Sequence, residues 1–585
     1  QALIATEDVR FYRHDGVDLF SMPRVFFKTL LLGDESSGGG STLTQQLAKN
    51  LYPRREYGWF SLPINKIREA ILAQRLEGVY SKEEILKHYL NTVPFGDNAY
   101  GIEVACRRFF SVSAADILPQ DAALLVGMLK ATSAYNPRTD PARSVQRRNV
   151  VLRQMYRNGV CTQAFADSLA ALPVALRYQP ESHNLGLAPY FRERLRQELD
   201  RWCKSYTRPD GSHPNLYTDG LKIYVTIHSR MQQYAEEAVA EHMKKVQQRF
   251  DTQWKGKSRL KESEKQVNAI WERSARYRQL KAAGASVQEL DSACLRPVRM
   301  QVFTWQGPRD TLLSPRDSIL HSEYMLHAGF MALDPASGHV RAWVGGIQHA
   351  FYQYDHVDSR RQCGSVFKPF VYAAALESGI SPCEYISNER TTFEGYGNWA
   401  PRNADSDYGG EYSMESALTH SVNVVTVNLL MQTGIPKVTD LARRLGLQGE
   451  LPESPALALG AGQASLREMV AAYAAFVNGG QHVAPLYLLR VEDADGTLLK
   501  GMEQIAVGPQ VLSDSTALLI RHMLTSVVDR GTAHGLRSRF GLKGQMAGKT
   551  GTTQSQADGW FIGVTPGLAA GAWVGANNPA IHFHT

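Results

Sequence analysis

The chain has 585 residues, which is more than one ordinary hydrophobic core holds and predicts several domains. Hydrophobic residues make up 43% and charged residues 21%, so the composition argues against a disordered chain and against a polytopic membrane protein. The net charge of +7 suits an anionic membrane surface but is too diffuse to indicate nucleic acid. The six cysteines form no Cys-x-x-Cys pair, which gives no indication of a zinc site or a disulfide framework.

The first segment, residues 7–16, crowds acidic, aromatic and basic side chains before a glycine. In a partly buried setting its first carboxylate, Glu7, can act as a general base. It can equally form an ordinary ion pair at a helix end, and the segment alone leaves both interpretations open.

A glycine-rich stretch over residues 38–40 then leads into a helix-like block. A glycine loop before a helix offers backbone N–H groups and the positive end of the helix dipole, which predicts a phosphate-bearing ligand. The block lacks the Gly-Lys-Ser/Thr ending of a nucleotide-binding loop. Its polar residues are Ser41, Thr42, Gln46, Lys49 and Asn50.

Two helices follow. Residues 63–77 carry Lys66 and Glu69 among apolar positions, and residues 81–91 begin with a capping-box pattern at Ser81. Between the first two blocks, residues 17–32 are apolar with interspersed basic residues. This stretch is either a core helix or a helix that lies at a membrane interface.

From about residue 181 to 324 no catalytic motif is present, and charge-rich helical spacing alternates with short strand-like runs at 216–227 and 302–305. We interpret this part as a linker and accessory region. An apolar hairpin pattern over residues 329–346 begins the C-terminal part, and further strand-like runs lie at 560–564 and 570–575.

The C-terminal part contains three motifs in order. Ser365 and Lys368 stand three apart, which on a helix places the amine within reach of the hydroxyl. That spacing alone is weak, because Ser258 and Lys261 share it in a charged run. The downstream motifs strengthen it: Ser421-Val422-Asn423 and Lys549-Thr550-Gly551-Thr552 complete the pattern of penicillin-binding proteins and serine β-lactamases.

The N-terminal blocks resemble the peptidoglycan glycosyltransferase family over about residues 1–170. The matching motifs are Glu-Asp-x-x-Phe-x-x-His-x-Gly from Glu7, Gly-x-Ser-Thr-x-x-Gln-Gln ending at Gln46, Lys66-x-x-Glu69, and Tyr-Leu-Asn-x-x-x-Phe-Gly from Tyr89. With the C-terminal motifs, the chain resembles the bifunctional class A penicillin-binding proteins of the 1A type. One departure is Asn65, where that family usually has an arginine, so we expect pyrophosphate binding to depend more on Lys49 and Lys66.

The resemblance implies a multidomain α+β fold. We expect an all-α, lysozyme-like glycosyltransferase domain at 1–175, a mixed linker and accessory region at 176–325, and an α/β transpeptidase domain with an antiparallel sheet at 326–585. It also implies that the chain is a fragment, with a single membrane anchor before Gln1 and a last transpeptidase helix after Thr585.

For the transpeptidase, the resemblance implies Ser365 as nucleophile, Lys368 as its base and Ser421 as a hydroxyl relay. Asn423 would orient Lys368 and the substrate amide, and Lys549 would hold the substrate carboxylate. Thr550, Gly551 and Thr552 would bind the peptide as an added strand, with the backbone N–H groups of Ser365 and Thr552 as the oxyanion hole. Cys363 is interpreted as a buried structural thiol.

For the glycosyltransferase, the resemblance implies that Glu7 deprotonates the acceptor sugar and that Glu69 assists departure of the pyrophosphate, by a proton or through a divalent Mg or Mn cation. The phosphate and sugar subsites would be lined by Ser41, Thr42, Gln46, Lys49, Asn50 and Lys66. Transpeptidation would need no cofactor. Two carboxylates in one cleft also describe a glycoside hydrolase.

The implied partners are lipid II, the growing glycan strand, stem peptides, β-lactams, the membrane surface and other cell-wall synthesis proteins, with no nucleic acid. Both active sites would lie on the periplasmic side of the inner membrane, held by a single span.

Two alternative functions remain open: an inactive peptidoglycan-binding scaffold, and a β-lactamase or carboxypeptidase that would have no use for the first 170 residues.

Overall fold

The computed structural model describes residues 1–18, 41–52, 54, 61–97, 99–178, 186–256, 260–501 and 507–583. The chain divides into two compact units, Gln1–Ser182 and His183–Thr585. The apolar stretch at 17–32 lies almost wholly outside the described residues, as do the glycines at 38–40.

The first unit is helical. Its helices are α1 (Ala2–Glu7), α2 (Leu43–Leu51), α3 (Ser61–Val79), α4 (Lys82–Thr92), α5 (Ile102–Phe110), α6 (Pro119–Met128), α7 (Pro141–Arg157) and α8 (Gln163–Ala170). The capping box predicted at Ser81 is confirmed, because its hydroxyl accepts from Glu84 N while the Glu84 carboxylate accepts from Ser81 N. A core of buried aliphatic and aromatic side chains, including Phe11, Tyr89 and Phe109, joins these helices.

The second unit contains the strands. They are β1 (Lys222–Val225), β2 (Val298–Val302), β3 (Arg309–Leu313), β4 (His327–Leu333), β5 (Val340–Val344), β6 (Arg360–Gln362), β7 (Tyr385–Ser387), β8 (Glu411–Ser413), β9 (Gln463–Ser465), β10 (Gln481–Val483), β11 (Leu488–Glu492), β12 (Leu498–Gly501), β13 (Val507–Gln510), β14 (Ala547–Thr552), β15 (Asp558–Thr565) and β16 (Leu568–Gly575).

The helices of the second unit pack around those strands. They are α9 (Pro189–Ser205), α10 (Ser229–Gln253), α11 (Leu260–Arg273), α12 (Ala275–Ala282), α13 (Val287–Leu295), α14 (Pro315–Glu323), α15 (Lys368–Glu377), α16 (Met414–His420), α17 (Asn423–Thr433), α18 (Ile435–Arg444), α19 (Leu466–Ala474), α20 (Asp514–Asp529) and α21 (Gly535–Ser538).

The main sheet has the strand order β14-β15-β16-β4-β5, and every neighbouring pair is antiparallel. The predicted hairpin at 329–346 is confirmed as β4 and β5, with the turn between Leu333 and Val340. Helices cover this sheet: α19 lies against β4, β15 and β16, while α10 lies against β4 and β5. The predicted fold class, a helical N-terminal part and a C-terminal part with an antiparallel sheet, is confirmed.

The predicted linker and accessory region, residues 176–325, contains α9, β1, α10 to α13 and the hairpin β2–β3, followed by α14. The strand expected near 302–305 instead ends at Val302, because Thr304 and Gly307 bond to each other in a turn. The strand expected within 216–227 is reduced to β1, which pairs with β11.

Packing between α19 and the main sheet requires a small residue on β16. A Cβ atom at Gly571 would lie 2.6 Å from Val470 Cγ2, 2.7 Å from Ile562 Cδ1 and 2.9 Å from Leu466 Cδ1. We therefore expect Gly571→Ala to overpack this layer and to destabilise the second unit by about 1–3 kcal/mol. Calorimetry of the full chain measures this as a lower unfolding temperature.

The matched control is Gly567→Ala, because no atom lies within 4 Å of a Cβ at Gly567. An unfolding temperature lowered equally by both substitutions would contradict the packing explanation.

Candidate active sites

Ser365 lies on a short 3-10 helix, Gly364–Phe367, that runs directly into α15. Gly364 has a φ of +57°, and a Cβ atom there would lie 2.8 Å from Thr552 O. A Cβ at Gly551 would lie 3.0 Å from Val366 N. The two glycines therefore let the Ser365 turn pack closely against the end of β14, a contact that larger residues would prevent.

Two aromatic side chains hold this turn in place. The Tyr473 hydroxyl donates to Val366 O at 2.6 Å, and Trp560 Nε1 donates to Gln362 O at 3.0 Å. Both side chains are buried. Sequence analysis gave no indication of either, since each comes from an element distant in the chain.

Lys368 is fully buried, and its amine contacts the Ser421–Asn423 turn. Nζ donates to Asn423 Oδ1 at 2.7 Å and to Ser421 O at 2.5 Å, and it lies 3.2 Å from Ser421 Oγ. A neutral amine has two N–H groups, which these two oxygens satisfy. Its lone pair then remains available to accept a proton.

Lys549 approaches the same hydroxyl from β14. Its Nζ donates to Ser421 Oγ at 2.9 Å and to Thr550 O at 3.0 Å. The Ser421 hydroxyl is thus shared by two buried lysines. The structure therefore brings Lys368, Ser421, Asn423 and Lys549 together as one hydrogen-bonded cluster beside the Ser365 turn.

The two lysines have different electrostatic environments. Burial and the nearby charge of Lys549 lower the pKa of Lys368 well below its usual range. Burial lowers the pKa of Lys549 to about 7. Two buried ammonium groups sharing one hydroxyl repel each other, so the favoured state near neutral pH has Lys368 neutral and Lys549 charged.

Asn403 holds the Ser421–Asn423 turn. Its Oδ1 accepts from Asn423 N at 3.0 Å and from Val424 N at 2.9 Å, and its Nδ2 donates to Asn388 Oδ1 at 2.8 Å. Both asparagines are buried. Sequence analysis missed them, because they lie in loops that match no motif.

The remaining residues predicted for this site lie on β14 and beside Ser365. Thr550, Gly551 and Thr552 lie on an edge strand, since β14 pairs on one side with β15 and no second partner occurs among the described residues. The Thr550 hydroxyl also bonds to Thr532 Oγ1 at 2.7 Å. Cys363 is a buried, free cysteine whose thiol pKa is raised by burial, as expected of a structural thiol.

In the first unit, Glu7 ends α1 and contacts α2. Gln46 Nε2 donates to Glu7 Oε2 at 3.3 Å, and the Tyr89 hydroxyl donates to Gln46 Oε1 at 2.9 Å. Burial and the charge of Glu7 raise the pKa of Tyr89, which keeps this hydroxyl protonated as a donor. Gln46 is therefore oriented, and in turn it positions the Glu7 carboxylate.

The neighbouring carboxylate, Asp8, has a positioning role. Its oxygens lie 3.1 Å from His14 Nε2, and Oδ2 accepts from Leu43 N at 2.9 Å. Asp8 is buried, whereas Glu7 is partly exposed. The two acids thus make different contacts: Asp8 ties α1 to the start of α2, and Glu7 is partly exposed beside Gln46.

Glu69 is a buried carboxylate paired with two cations on α3 and the segment before it. Arg54 Nε lies 2.8 Å from Oε1 and Lys66 Nζ lies 3.0 Å from Oε2. Burial opposes ionisation of Glu69, but the hydrogen bonds from Arg54 and Lys66 outweigh it and lower its pKa. Lys66 also donates to Ser41 Oγ at 2.7 Å, so Ser41, Lys66 and Glu69 are brought together.

Arg54 is a site residue that sequence analysis missed. Asn65, which replaces the usual arginine, is buried and donates through Nδ2 to Ser61 O at 2.7 Å. Position 65 therefore supplies no cation, and a guanidinium reaches Glu69 from residue 54 instead. The sequence shows that an arginine, Arg54, precedes position 65, but only the fold shows that it pairs with Glu69.

Two features of the predicted phosphate loop differ from expectation. Thr42 is buried, donates to Gly16 O at 2.6 Å and accepts from Gln45 N at 3.2 Å, so its hydroxyl is engaged as the N-cap of α2. The Leu43 N–H bonds to Asp8, which leaves fewer free amides at the start of α2. Lys49 and Asn50 are exposed on α2.

The predicted divalent cation remains a prediction. Among the described residues no group of three or more His, Cys, Asp or Glu side chains is arranged to hold a metal ion. Glu69 already has two cationic partners, so a metal there would have to displace Arg54 or Lys66. These residues do not fit a cation as they stand, and no step is assigned to one.

Three family models match the chain: transglycosylase over residues 1–156, penicillin-binding protein middle domain over 249–326, and penicillin binding protein transpeptidase domain over 328–578. Penicillin-binding protein 1A of Neisseria flavescens is 31% identical over 626 residues, covering 99% of this chain and 75% of the relative. That of Neisseria meningitidis serogroup B is 32% identical over 623 residues, with the same coverage.

The chain belongs to the penicillin-binding protein 1A family. It is a bifunctional enzyme, a peptidoglycan glycosyltransferase and a serine-type D-Ala-D-Ala transpeptidase, as the motifs predicted. The crystal structure of penicillin-binding protein 1A from Haemophilus influenzae has the same fold, with a TM-score of 0.61 and 23% identity over 86% of this chain and 82% of that one. The middle-domain match gives the accessory region a family, while the domain limits at 175 and 325 stay predictions.

The lysine pair predicts that the rate of acylation by a β-lactam depends on pH, through the attraction between charged Lys549 and the carboxylate of the β-lactam. The second-order rate constant reports the free enzyme, whose reactive form has Lys368 neutral and Lys549 charged. As pH rises through about 7, Lys549 loses its proton and its attraction for the carboxylate. We expect the rate constant to fall roughly tenfold, the size of a lost charged hydrogen bond. Stopped-flow measurement with a fluorescent penicillin tests this.

The exposed Lys543 provides the control, since Lys543→Ala should leave this profile unchanged. A rate constant that stays constant from about pH 6 to about pH 9 would show that Lys549 does not titrate in this way.

The Arg54–Glu69 pair gives a second prediction. In Arg54→Gln the bond to Glu69 loses its charge, so we expect glycan polymerisation to fall roughly tenfold while Arg54→Lys keeps part of the activity. Chain growth from a fluorescent lipid-linked substrate measures this. Arg107→Gln, which removes an exposed ion pair with Glu103, should have no effect. Equal losses in both variants would refute a specific role for Arg54.

Proposed function

We propose that Ser365 is the acylated nucleophile of the transpeptidase and that the Lys368–Ser421–Lys549 cluster serves it. Lys368, neutral near pH 7, takes the proton of the Ser365 hydroxyl as its oxygen attacks the carbonyl of the penultimate D-Ala. The observation that carries this proposal is the buried lysine pair sharing the Ser421 hydroxyl. Such a depressed amine pKa is what a lysine base requires.

The remaining steps follow from the same cluster. The oxyanion accepts from the backbone N–H groups of Ser365 and Thr552. The bond to the terminal D-Ala then breaks, and Lys368 returns the proton to the leaving amine through the Ser421 hydroxyl. The amine of a neighbouring stem peptide attacks the acyl-enzyme, which forms the cross-link and releases Ser365. Charged Lys549, with Thr550, holds the terminal carboxylate of the donor peptide.

In the glycosyltransferase, we propose that Glu7 removes the proton from the 4-hydroxyl of the acceptor sugar, which attacks the anomeric carbon of the lipid-pyrophosphate donor. Gln46 and Tyr89 orient Glu7. Glu69 is ionised and paired, so in this proposal it does not donate a proton. It instead positions Arg54 and Lys66, and these cations stabilise the departing pyrophosphate together with Ser41 and the exposed Lys49 and Asn50.

The two reactions should be separable by mutation. Glu7→Gln should abolish glycan chain growth and leave fluorescent-penicillin labelling intact, because Glu7 and Ser365 belong to different units. Ser365→Ala should do the reverse. Loss of both activities in a well-folded Glu7→Gln protein would argue against two independent sites, and product analysis distinguishes transfer to an amine from hydrolysis by water.

We propose that the enzyme works at the outer surface of the cytoplasmic membrane, where its lipid-linked substrate is confined. Helix α3 supports this, since Ile64, Ile67 and Ile71 form an exposed stripe opposite the buried face of Asn65 and Glu69. No helix among the described residues is long and apolar enough to cross a bilayer. The predicted single-pass anchor and protein partners remain proposals.

Charges on this stripe should weaken membrane binding. We expect Ile67→Glu combined with Ile71→Glu to reduce co-sedimentation with anionic liposomes several-fold, since each glutamate opposes both burial and the surface potential. Val79→Glu is the control, because Val79 is exposed on the same helix but lies off the stripe. Unchanged binding by the double variant would mean that α3 does not contact the membrane.

A further inference from the structure

A polar cavity of about 510 Å³ lies beyond the C-terminal end of β14. One side is formed by Arg360, Arg361 and Gln362 on β6, the strand that leads into the Ser365 turn. The other side is formed by the turn that follows Thr552, including Gln554. Both sides of the cavity are therefore formed by segments that adjoin the transpeptidase residues in the chain, the Ser365 turn on one side and β14 on the other.

The direction of the donor peptide places its upstream part at this cavity. In the proposed function, on which this inference rests, the terminal carboxylate lies at Lys549 and Thr550, and the scissile carbonyl lies at Thr552. A peptide added to the edge of β14 in this orientation advances about 3.3 Å per residue toward Thr553. The residue directly upstream of the D-Ala-D-Ala pair is then level with Thr553 and Gln554.

The two arginines on the cavity wall differ in whether a carboxylate pairs with them. Arg360 is paired with the Glu468 carboxylate at 3.1 Å. Arg361 stacks on the Trp573 ring at 4.8 Å and donates to Asn577 O at 3.4 Å, and no carboxylate of the described residues lies within ion-pair distance of it. Its guanidinium is thus oriented on a buried aromatic ring and keeps N–H groups for a further acceptor.

The single acid that lines the cavity is turned into the fold. Asp558 is buried, Oδ1 accepts from Trp573 Nε1 at 2.9 Å, and Oδ2 accepts from the Thr553 hydroxyl at 3.0 Å. Both of its oxygens are therefore occupied by neutral donors. The other polar side chains that line the cavity are Arg360, Arg361, Gln362, Gln463, Thr553, Gln554, Ser555 and His582. Among the two arginines, Arg361 is the one without a carboxylate partner in the described part of the chain.

We propose that this cavity is a substrate subsite that selects a stem peptide with a free carboxylate on the side chain directly upstream of D-Ala-D-Ala. Arg361 is the specificity-determining residue, because a planar guanidinium binds a carboxylate through two parallel hydrogen bonds. A carboxamide or an ammonium at that position loses this interaction. The subsite would make the transpeptidase sensitive to amidation of its substrate.

The test compares synthetic donors of the form X-D-Ala-D-Ala in which X ends in a carboxylate, the matching carboxamide or an amine. The readout is kcat/KM for release of D-Ala by the full chain. For the unmodified enzyme we expect the carboxylate donor to exceed the carboxamide roughly tenfold, the size of one charged hydrogen-bonded contact. Equal values for the two donors overturn the proposal.

Two substitutions locate the effect. Arg361→Gln should bring the carboxylate-to-carboxamide ratio close to one, and an unchanged ratio overturns the assignment to Arg361. Gln554→Glu changes an exposed loop side chain, so it keeps the test valid if Arg361→Gln does not fold. It should shift preference toward the amine donor, and Lys543→Ala should leave every ratio unchanged.

Penicillin labelling separates this proposal from the function on which it rests. A β-lactam acylates Ser365 without needing an upstream residue. If penicillin labels the enzyme but the three donors release D-Ala at equal rates, only the subsite is refuted. Absence of both labelling and D-Ala release from the unmodified enzyme would instead refute the proposed transpeptidase function.

Discussion

Two buried lysines that share one hydroxyl are the constraint around which the second unit is arranged. Lys368 and Lys549 are each fully buried, and both contact Ser421 Oγ. Burial of two ammonium groups at this distance is too costly for both to stay charged, so the environment must keep one of them neutral. A neutral amine is what the proposed base requires, and this state depends on three elements, α15, the turn before α17 and β14, meeting at one point.

The surrounding contacts maintain that meeting point. Glycines at 364 and 551 allow the Ser365 turn to approach β14, while Tyr473 and Asn403 hold the turn and the Ser421–Asn423 segment from behind. None of these side chains reacts in the proposed mechanism. They hold the backbone segments that carry Ser365 and Asn423, and fixed geometry is how a site gains the preorganisation that catalysis needs.

The first unit poses the opposite electrostatic problem, since it must hold carboxylates in place. Asp8 joins α1 to α2, while Glu7 stays partly exposed beside Gln46. Glu69 is ionised because Arg54 and Lys66 bond to it. Each acid in this unit therefore takes its role from its partners, and the adjacent carboxylates of Glu7 and Asp8 make different contacts.

The sequence by itself determined the family and the fold class, because motif order and spacing carry those directly, and the same motifs predicted the reactive residues. It also determined the hairpin at 329–346 and the capping box at Ser81, which depend on local patterns. Tertiary structure alone decided that Thr42 is an N-cap, that Arg54 pairs with Glu69, and that Asn403 holds the Ser421 turn. The contacts of Arg54 and Asn403 join residues that are far apart in the chain, so no local spacing predicts them. Burial, which lowers the lysine pKa values, exists only once the chain has folded.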